Sequence, residues 1–133
     1  MDAFVAQSRR ERYKHLLQRG DFVTKLDHDL ERDLDPSYQA VLTGPASTTE
    51  GVLASIRVAT ASTDAILVGG PGHCHPGRVM SLDQAIDECI GSMMGAIVLL
   101  DGGTTAYFEP ETGENARCVL SRDPKALQTL RRV

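Results

Sequence analysis

The sequence has no long apolar segment and no uncharged N-terminal stretch. Its longest strongly apolar run, residues 96–100, is far shorter than the roughly 20 residues that a membrane-spanning helix needs. The beginning of the chain carries Arg9, Arg10 and Glu11 within a charged stretch, so it lacks the apolar centre of a secretory signal peptide. Both absences predict a cytoplasmic protein that does not enter a membrane.

Cysteine is scarce, and an excess of basic residues is absent. The three cysteines, Cys74, Cys89 and Cys118, include no C-x-x-C pair, which argues against a disulfide framework and against a zinc ribbon. The 14 basic side chains are outnumbered by 18 acidic ones, and the net charge is −4. The chain as a whole is therefore not attracted to nucleic acid or to anionic lipid. We expect reduced thiols and no nucleic-acid partner.

The remaining composition is that of an ordinary globular protein. Hydrophobic residues make up 41% of the 133 positions, and the chain has no low-complexity tract and no internal repeat. A chain of this length normally folds around one hydrophobic core. We expect a single domain over residues 1–133, with a helical N-terminal segment over 1–35 and a sheet-containing core over 36–133.

Hydrophobic periodicity predicts an α/β fold of the α+β kind. Phe22, Leu26, Leu30 and Leu34 recur every four residues, which indicates an amphipathic helix in the N-terminal segment. Strands are predicted over 38–42, 65–68, 96–100, 104–109 and 116–121, and helices over 81–94 and from 124 onwards. These elements predict a mixed or antiparallel sheet of about five strands with a central helix packed on it and a short C-terminal helix. We expect the N-terminal helices to cover an edge of the sheet or to form a homo-oligomer contact.

Residues 47–58 fit two secondary structures. Ser47 and Glu50 have the spacing of a capping box, which favours a helix. The apolar residues between Val52 and Val58 alternate with their neighbours, which favours a strand. We interpret this stretch as a strand.

Chemically versatile side chains are concentrated between Gly69 and Asp83. His73 and His75 follow a buried strand and are two residues apart, so continued strand geometry would point both imidazoles to the same side. Asp83 lies at the start of the next helix, and two histidines with one carboxylate leave a fourth zinc position for water. Zinc would lower the pKa of that water to near 7. Glu50 is the candidate general base.

This segment resembles the JAMM/JAB metalloproteases. That family carries His-x-His-Pro after a strand and Ser-x-x-Asp at a helix start, with a glutamate upstream. The sequence His73-Cys74-His75-Pro76 matches the first part, and Ser81-Leu82-Asp83 is one residue shorter than the second. The resemblance covers roughly residues 50–108 and extends to the order of strands and helix.

The resemblance implies a small zinc-dependent hydrolase of peptide or isopeptide bonds. In this interpretation Zn²⁺ is held by His73, His75 and Asp83. Glu50 is the general base, and Ser81 stabilises the oxyanion. Asp87 lies one turn later on the same helix and competes with Asp83 for the ligand position.

Other interpretations of the chain remain open. The histidines of a Gly/Pro-rich loop can simply lie at the surface and bind no metal. The same loop could hold an anion before a helix N-terminus, although Pro71 and Pro76 remove two N–H donors. The alternative function, from a different class, is a non-catalytic protein-binding module, such as a bacterial immunity or regulatory protein, whose partner is a protein or a peptide.

Overall fold

The computed structural model describes residues 36–69, 78–90, 95–110 and 117–132. This part of the chain forms one sheet of six strands together with three α-helices. The strands are β1 (Gln39–Val41), β2 (Asp64–Gly69), β3 (Arg78–Ser81), β4 (Ala96–Leu100), β5 (Thr105–Glu109) and β6 (Cys118–Ser121). The helices are α1 (Thr49–Ala59), α2 (Leu82–Cys89) and α3 (Pro124–Arg131).

The strands follow the spatial order β1-β6-β5-β4-β2-β3, and every neighbouring pair is antiparallel. β2 and β3 form a hairpin, and β4, β5 and β6 form an antiparallel meander. The chain enters the described sheet at β1, which pairs with β6. The α+β class and an antiparallel sheet are therefore confirmed.

All three helices pack on the same side of the sheet, which we call the helix face. α1 buries Val52 and Ile56 against it, and α2 buries Ala85 and Ile86. The sheet contributes eight side chains to this core: Ala40, Ala65, Leu67, Ala96, Val98, Leu100, Tyr107 and Val119. Because side chains alternate along a strand, the residues between these point to the opposite side, which we call the outer face.

Two of the helices are capped by the side chain of the residue that precedes them. Ser81 Oγ accepts a hydrogen bond from the Gln84 N–H at 3.2 Å and caps α2. Asp123 Oδ1 accepts from the Lys125 N–H at 3.0 Å and caps α3, whose first residue is Pro124. Each side chain satisfies an N–H that has no partner within its own helix.

The strand interpretation of residues 47–58 is wrong, because Thr49–Ala59 form α1. Val52 and Ile56 are both fully buried, and they lie four residues apart on one face of the helix. The cap is Thr48, whose side chain accepts from the Gly51 N–H at 3.1 Å. Ser47 instead closes a 3-10 turn, Gly44–Ser47, that precedes the helix.

The sheet contains one strand, β3, that the sequence does not predict. β3 lies within the stretch interpreted as a loop, and only the pairing of Arg78–Ser81 with β2 makes it a strand. The prediction of N-terminal helices, and with it that of a homo-oligomer contact through them, lies outside the described residues. Within the described ranges, no helix is long and apolar enough to cross a bilayer.

Candidate functional site

The β2–β3 hairpin shows where the connection that carries His73 and His75 leaves and re-enters the sheet. Asp64 pairs with Ser81 at one end of the hairpin, and Leu67 pairs with Arg78 near the other. The connection between Gly69 and Arg78 therefore begins and ends at the opposite end from Ser81. A strand rises about 3.3 Å per residue, so Asp64 and Gly69 are about 17 Å apart.

Ser81 and Asp83 already have partners at the start of α2. The Ser81 hydroxyl oxygen accepts from Gln84 as the helix cap. The Asp83 carboxylate accepts from Nη2 of Arg57 at 3.2 Å in an exposed ion pair, with 70% of the Asp83 side chain accessible. Arg57 belongs to the last turn of α1, so this ion pair joins two helices at the surface.

Glu50 lies at the other end of α1 from the partner of Asp83. It is exposed in the first turn of the helix, where its negative charge is favoured by the helix dipole. Arg57 follows seven residues later, which is about 10 Å along the helix axis. Glu50, the predicted base, thus lies in the first turn of α1. Asp83, the predicted carboxylate ligand, contacts the last turn of the same helix through Arg57.

His73 and His75 lie outside the described residues. Of the residues that the structure describes, no group of three or more His, Cys, Asp or Glu side chains could hold a metal ion. Arg78 is the first described residue after that connection, and its Nη2 donates to Glu88 Oε2, in the last turn of α2, at 2.7 Å. Asp87 precedes Glu88 in the same turn of α2, whereas Asp83 lies in the first turn of that helix.

A buried polar cluster lies on the helix face, and the sequence reasoning missed it. Glu109 is only 3% exposed, and its Oε1 accepts from the Tyr107 hydroxyl at 2.5 Å and from Arg117 Nε at 2.8 Å. Arg117 also donates to Glu109 Oε2 at 3.2 Å and to the Ser47 carbonyl oxygen at 2.6 Å. The cluster therefore ties two strands to the turn that precedes α1.

Burial controls the protonation of the groups around Glu109. Burial raises the pKa of the Cys89 thiol to about 12, and the charge of Glu109 adds to this effect. Burial and the hydrogen bond to Glu109 raise the pKa of Tyr107 well above its usual range. The hydrogen bond to Glu109 also raises the pKa of Arg117. A neutral thiol and a neutral phenol are poor nucleophiles.

A sequence signal for this cluster exists in the strand pattern. Tyr107 and Glu109 share one face of β5 because they are two residues apart. Phe108 pairs with Cys118, so the next residues along the register, Glu109 and Arg117, lie opposite each other. A charged residue that ends an otherwise apolar strand therefore marks a buried ion pair here.

The outer face carries an open apolar cleft at its β3 end. Ile66 pairs with Val79 on one side and with Leu99 on the other, so these three side chains form a row across three strands. Val79 is 78% exposed and Ile66 is 41% exposed. The cleft has a volume of about 490 Å³ and continues to the turn Asp101–Gly103.

Two carboxylates stand at the rim of this cleft. Asp64 and Asp101 both line it and are exposed. Asp101 has φ 51°, a left-handed backbone conformation that costs free energy for a residue other than glycine. The cleft therefore combines an apolar floor with a negatively charged rim.

Comparison with models of protein families, with curated proteins and with solved structures finds no match for this chain.

Proposed function

We propose that this protein is a non-catalytic binding module whose outer-face cleft receives a protein or peptide segment. The observation that supports this function is the row of Val79, Ile66 and Leu99, which leaves large apolar side chains open to water at the end of the sheet. Burying such side chains against a partner is favourable by about 25 cal/mol per Å² of apolar area. The row therefore supplies binding free energy.

The charges around the cleft favour a basic partner. Asp64 and Asp101 at the rim would attract Lys or Arg residues that flank an apolar side chain. The net charge of −4 adds a weak attraction of the same sign. The proposed ligand is thus an extended segment in which Leu, Ile or Phe alternates with Lys or Arg.

Titration of the full-length ¹⁵N-labelled protein with the peptide acetyl-Lys-Leu-Lys-Leu-Lys-amide tests this function by NMR. We expect the shifted amides to cluster at Ile66, Val79 and Gly102. The same peptide with Glu in place of Lys should bind far more weakly, because the rim would repel it. Val79→Ser should weaken binding about tenfold, which corresponds to about 1.4 kcal/mol of lost apolar contact.

Val58→Ser is the matched control for Val79→Ser. Val58 is also an exposed valine, but it lies on α1 at the helix face. This change should leave peptide binding unaltered. Shifts spread evenly over the protein, or equal affinity for the Lys and Glu peptides, would contradict the proposed site.

A second candidate function is that of a zinc-dependent hydrolase with a JAMM-like metal site. The Arg78–Glu88 ion pair favours it, because this contact brings the carboxylate-bearing end of α2 towards the connection that carries His73 and His75. Asp87 suits the third ligand position better than Asp83, whose carboxylate is bound to Arg57 at the other end of α2. Glu50 and Ser81 remain the proposed base and oxyanion group.

Elemental analysis of protein purified without a tag tests the metal site directly. Stoichiometric zinc that is lost in the His73→Ala/His75→Ala double variant would support the hydrolase. Asp83→Asn and Asp87→Asn then discriminate between the two carboxylates, because only the true ligand should lower the zinc content. Folded protein that takes up no zinc would rule this function out and leave the binding module.

A further inference from the structure

A second cleft lies at the other edge of the described sheet, between α3 and the turn Pro36–Tyr38. Its volume is about 460 Å³, within the range of about 300–1,000 Å³ that is typical of small-molecule sites. We call it the arginine cleft, because its lining includes Arg122, Arg131 and Arg132 together with Tyr38 and Leu127. It is separate from the outer-face cleft, which is formed around β2 and β3.

Positive charge is concentrated in the arginine cleft, although the whole chain has a net charge of −4. Of the described residues that line this cleft, three are arginines and none is acidic. The other three described arginines are each in an ion pair with a carboxylate: Arg57 with Asp83, Arg78 with Glu88, and Arg117 with Glu109. The arginine cleft therefore favours an anionic ligand.

Arg131 is held in place by the backbone and keeps donors for a ligand. Its Nε and Nη2 donate to the Gln39 carbonyl oxygen at 3.1 and 2.7 Å. Nη2 also donates to the carbonyl oxygens of Pro36 and Ser37 at 3.2 and 3.3 Å. Within the described part of the chain, no acceptor is bound to Nη1. A guanidinium that is already fixed loses little conformational freedom when it binds a phosphate group.

Arg122 is stacked on an aromatic ring in the same cleft. Its guanidinium carbon lies 4.4 Å from the centre of the Tyr38 ring, which is a cation–π contact. Gln39 pairs with Leu120, so the residue before β1 lies beside the end of β6. Guanidinium groups and aromatic rings are surfaces on which nucleobases stack. The arginine cleft therefore combines cationic donors with flat groups that suit a planar ring.

We propose that the arginine cleft binds a nucleoside monophosphate. Arg131 and Arg132 bind the phosphate group, because guanidinium donors match the oxygens of a phosphate. Tyr38 and Arg122 contact the base, and Leu127 adds an apolar contact. This ligand has both parts that suit the lining, an anionic group and a flat ring. Binding there is independent of the outer-face cleft and of any metal.

Titration of the full-length ¹⁵N-labelled protein with AMP, GMP, CMP and UMP tests this site by NMR. We expect shifted amides at Tyr38, Arg122 and Arg132 and unshifted amides at Ile66 and Val79. Adenosine and inorganic phosphate should each bind at least about tenfold more weakly than AMP, because each has only one of the two parts. Added salt should weaken AMP binding, since it screens the arginine charges.

Single substitutions separate the contact with the phosphate from the contact with the base. Arg132→Gln should lower the affinity for AMP about tenfold by removing a charged donor. Its side chain is exposed at the end of α3, so the fold should not change. Tyr38→Leu should lower the affinity for AMP but not for inorganic phosphate, which has no ring to stack. Arg57→Gln is the matched control, because it removes the same charge from α1 outside the cleft, and it should leave AMP binding unaltered.

Absence of shifts at Tyr38 and Arg132 with all four nucleotides would overturn the proposal. So would equal affinity for AMP and adenosine, because the arginines would then not bind the phosphate. Equal affinity for AMP and inorganic phosphate would overturn the contact with the base. Equal losses in Arg132→Gln and Arg57→Gln would identify a general effect of charge in place of a site. None of these outcomes depends on peptide or zinc binding.

Discussion

Two carboxylates of this protein are paired with arginine in very different surroundings. Glu109 accepts from Arg117 with 4% of its side chain exposed, whereas Asp83 accepts from Arg57 with 70% exposed. In water the attraction between two charges is largely screened, but a buried charge that loses its partner cannot be rehydrated. Breaking the ion pair should therefore lower the free energy of unfolding more at Glu109 than at Asp83, although both groups are carboxylates.

Replacing each carboxylate by alanine should reveal this difference. Glu109→Ala removes the acceptor of both Tyr107 and Arg117, and we expect it to lower the free energy of unfolding by about 2–3 kcal/mol. Asp83→Ala should cost less than about 1 kcal/mol. Urea unfolding measures both values. Equal losses would mean that Glu109 exchanges its partners for water and that the cluster does not tie the strands together.

The buried Cys89 thiol makes the free energy of unfolding depend on pH in the alkaline range. Its pKa is raised from 9.0 to about 12 in the folded state, so the native chain keeps a proton that the unfolded chain releases. Stability from this group is therefore complete below pH 9 and is lost as the pH rises towards 12. The slope is at most about 1.4 kcal/mol per pH unit.

Cys89→Ala should reduce the slope of the free energy of unfolding against pH by the equivalent of about one proton. The measurement is the free energy of unfolding in urea at several pH values between 8 and 11. Ile86→Val is the control, because it alters a fully buried neighbour on the same helix without removing a titratable group. It should lower the stability at every pH by the same amount. A Cys89→Ala curve parallel to the wild-type curve would contradict the argument.

At the scale of the elements, α1 is held against the turn that precedes it. A Cβ atom on Gly51 would lie 2.2 Å from the Pro45 carbonyl oxygen and 2.7 Å from the Ala46 Cα. Both neighbours are backbone atoms of the turn Gly44–Ser47, so a flexible side chain cannot move aside. Glycine is required here because of close packing between the helix and the turn.

Gly51→Ala should therefore destabilise the fold, although alanine favours helices more than glycine does. Glycine costs a helix about 1 kcal/mol relative to alanine, and relieving the clash should cost about 1–3 kcal/mol. We expect a net loss in thermal unfolding experiments. Glu50→Ala, an exposed change in the same turn of α1, is the control and should have little effect. A more stable Gly51→Ala variant would show that the turn can move.

At the scale of the whole molecule, both faces of the sheet contribute to the core. Ile97 and Ile66 lie on the same outer face, but Ile97 is fully buried whereas Ile66 is 41% exposed at the cleft. Deleting a buried isoleucine side chain to alanine typically costs about 2–5 kcal/mol. Ile97→Ala should fall in that range, and Ile66→Ala should cost less than half as much.

Chemical unfolding of these two variants compares a buried position of the outer face with an exposed one. Both changes remove the same atoms from neighbouring strands, so the chemistry of the substitution cancels in the comparison. Similar costs would mean that the cleft is closed in solution or that the centre of the outer face is open. Either result would also weaken the proposal that the cleft receives a partner.

The sequence by itself determined the elements whose signals are local. The runs Ala65–Val68 and Ala96–Leu100 are strands, Ser81 caps α2, and Asp123 caps α3 ahead of Pro124. In each case, the residues that specify the element lie within a few positions of one another. Capping and strand alternation need no information from elsewhere in the chain.

The tertiary structure decided what depends on pairing between distant segments. Val52 and Ile56 suit a strand or a helix, and their burial against the helix face selects the helix. β3 is a strand only because β2 lies beside it, and the same pairing places Ser81 and Arg78 at opposite ends of the hairpin. Glu109 becomes a buried ion pair because the register brings Arg117 opposite it. Contacts of this kind depend on register and packing between segments that are distant in the sequence.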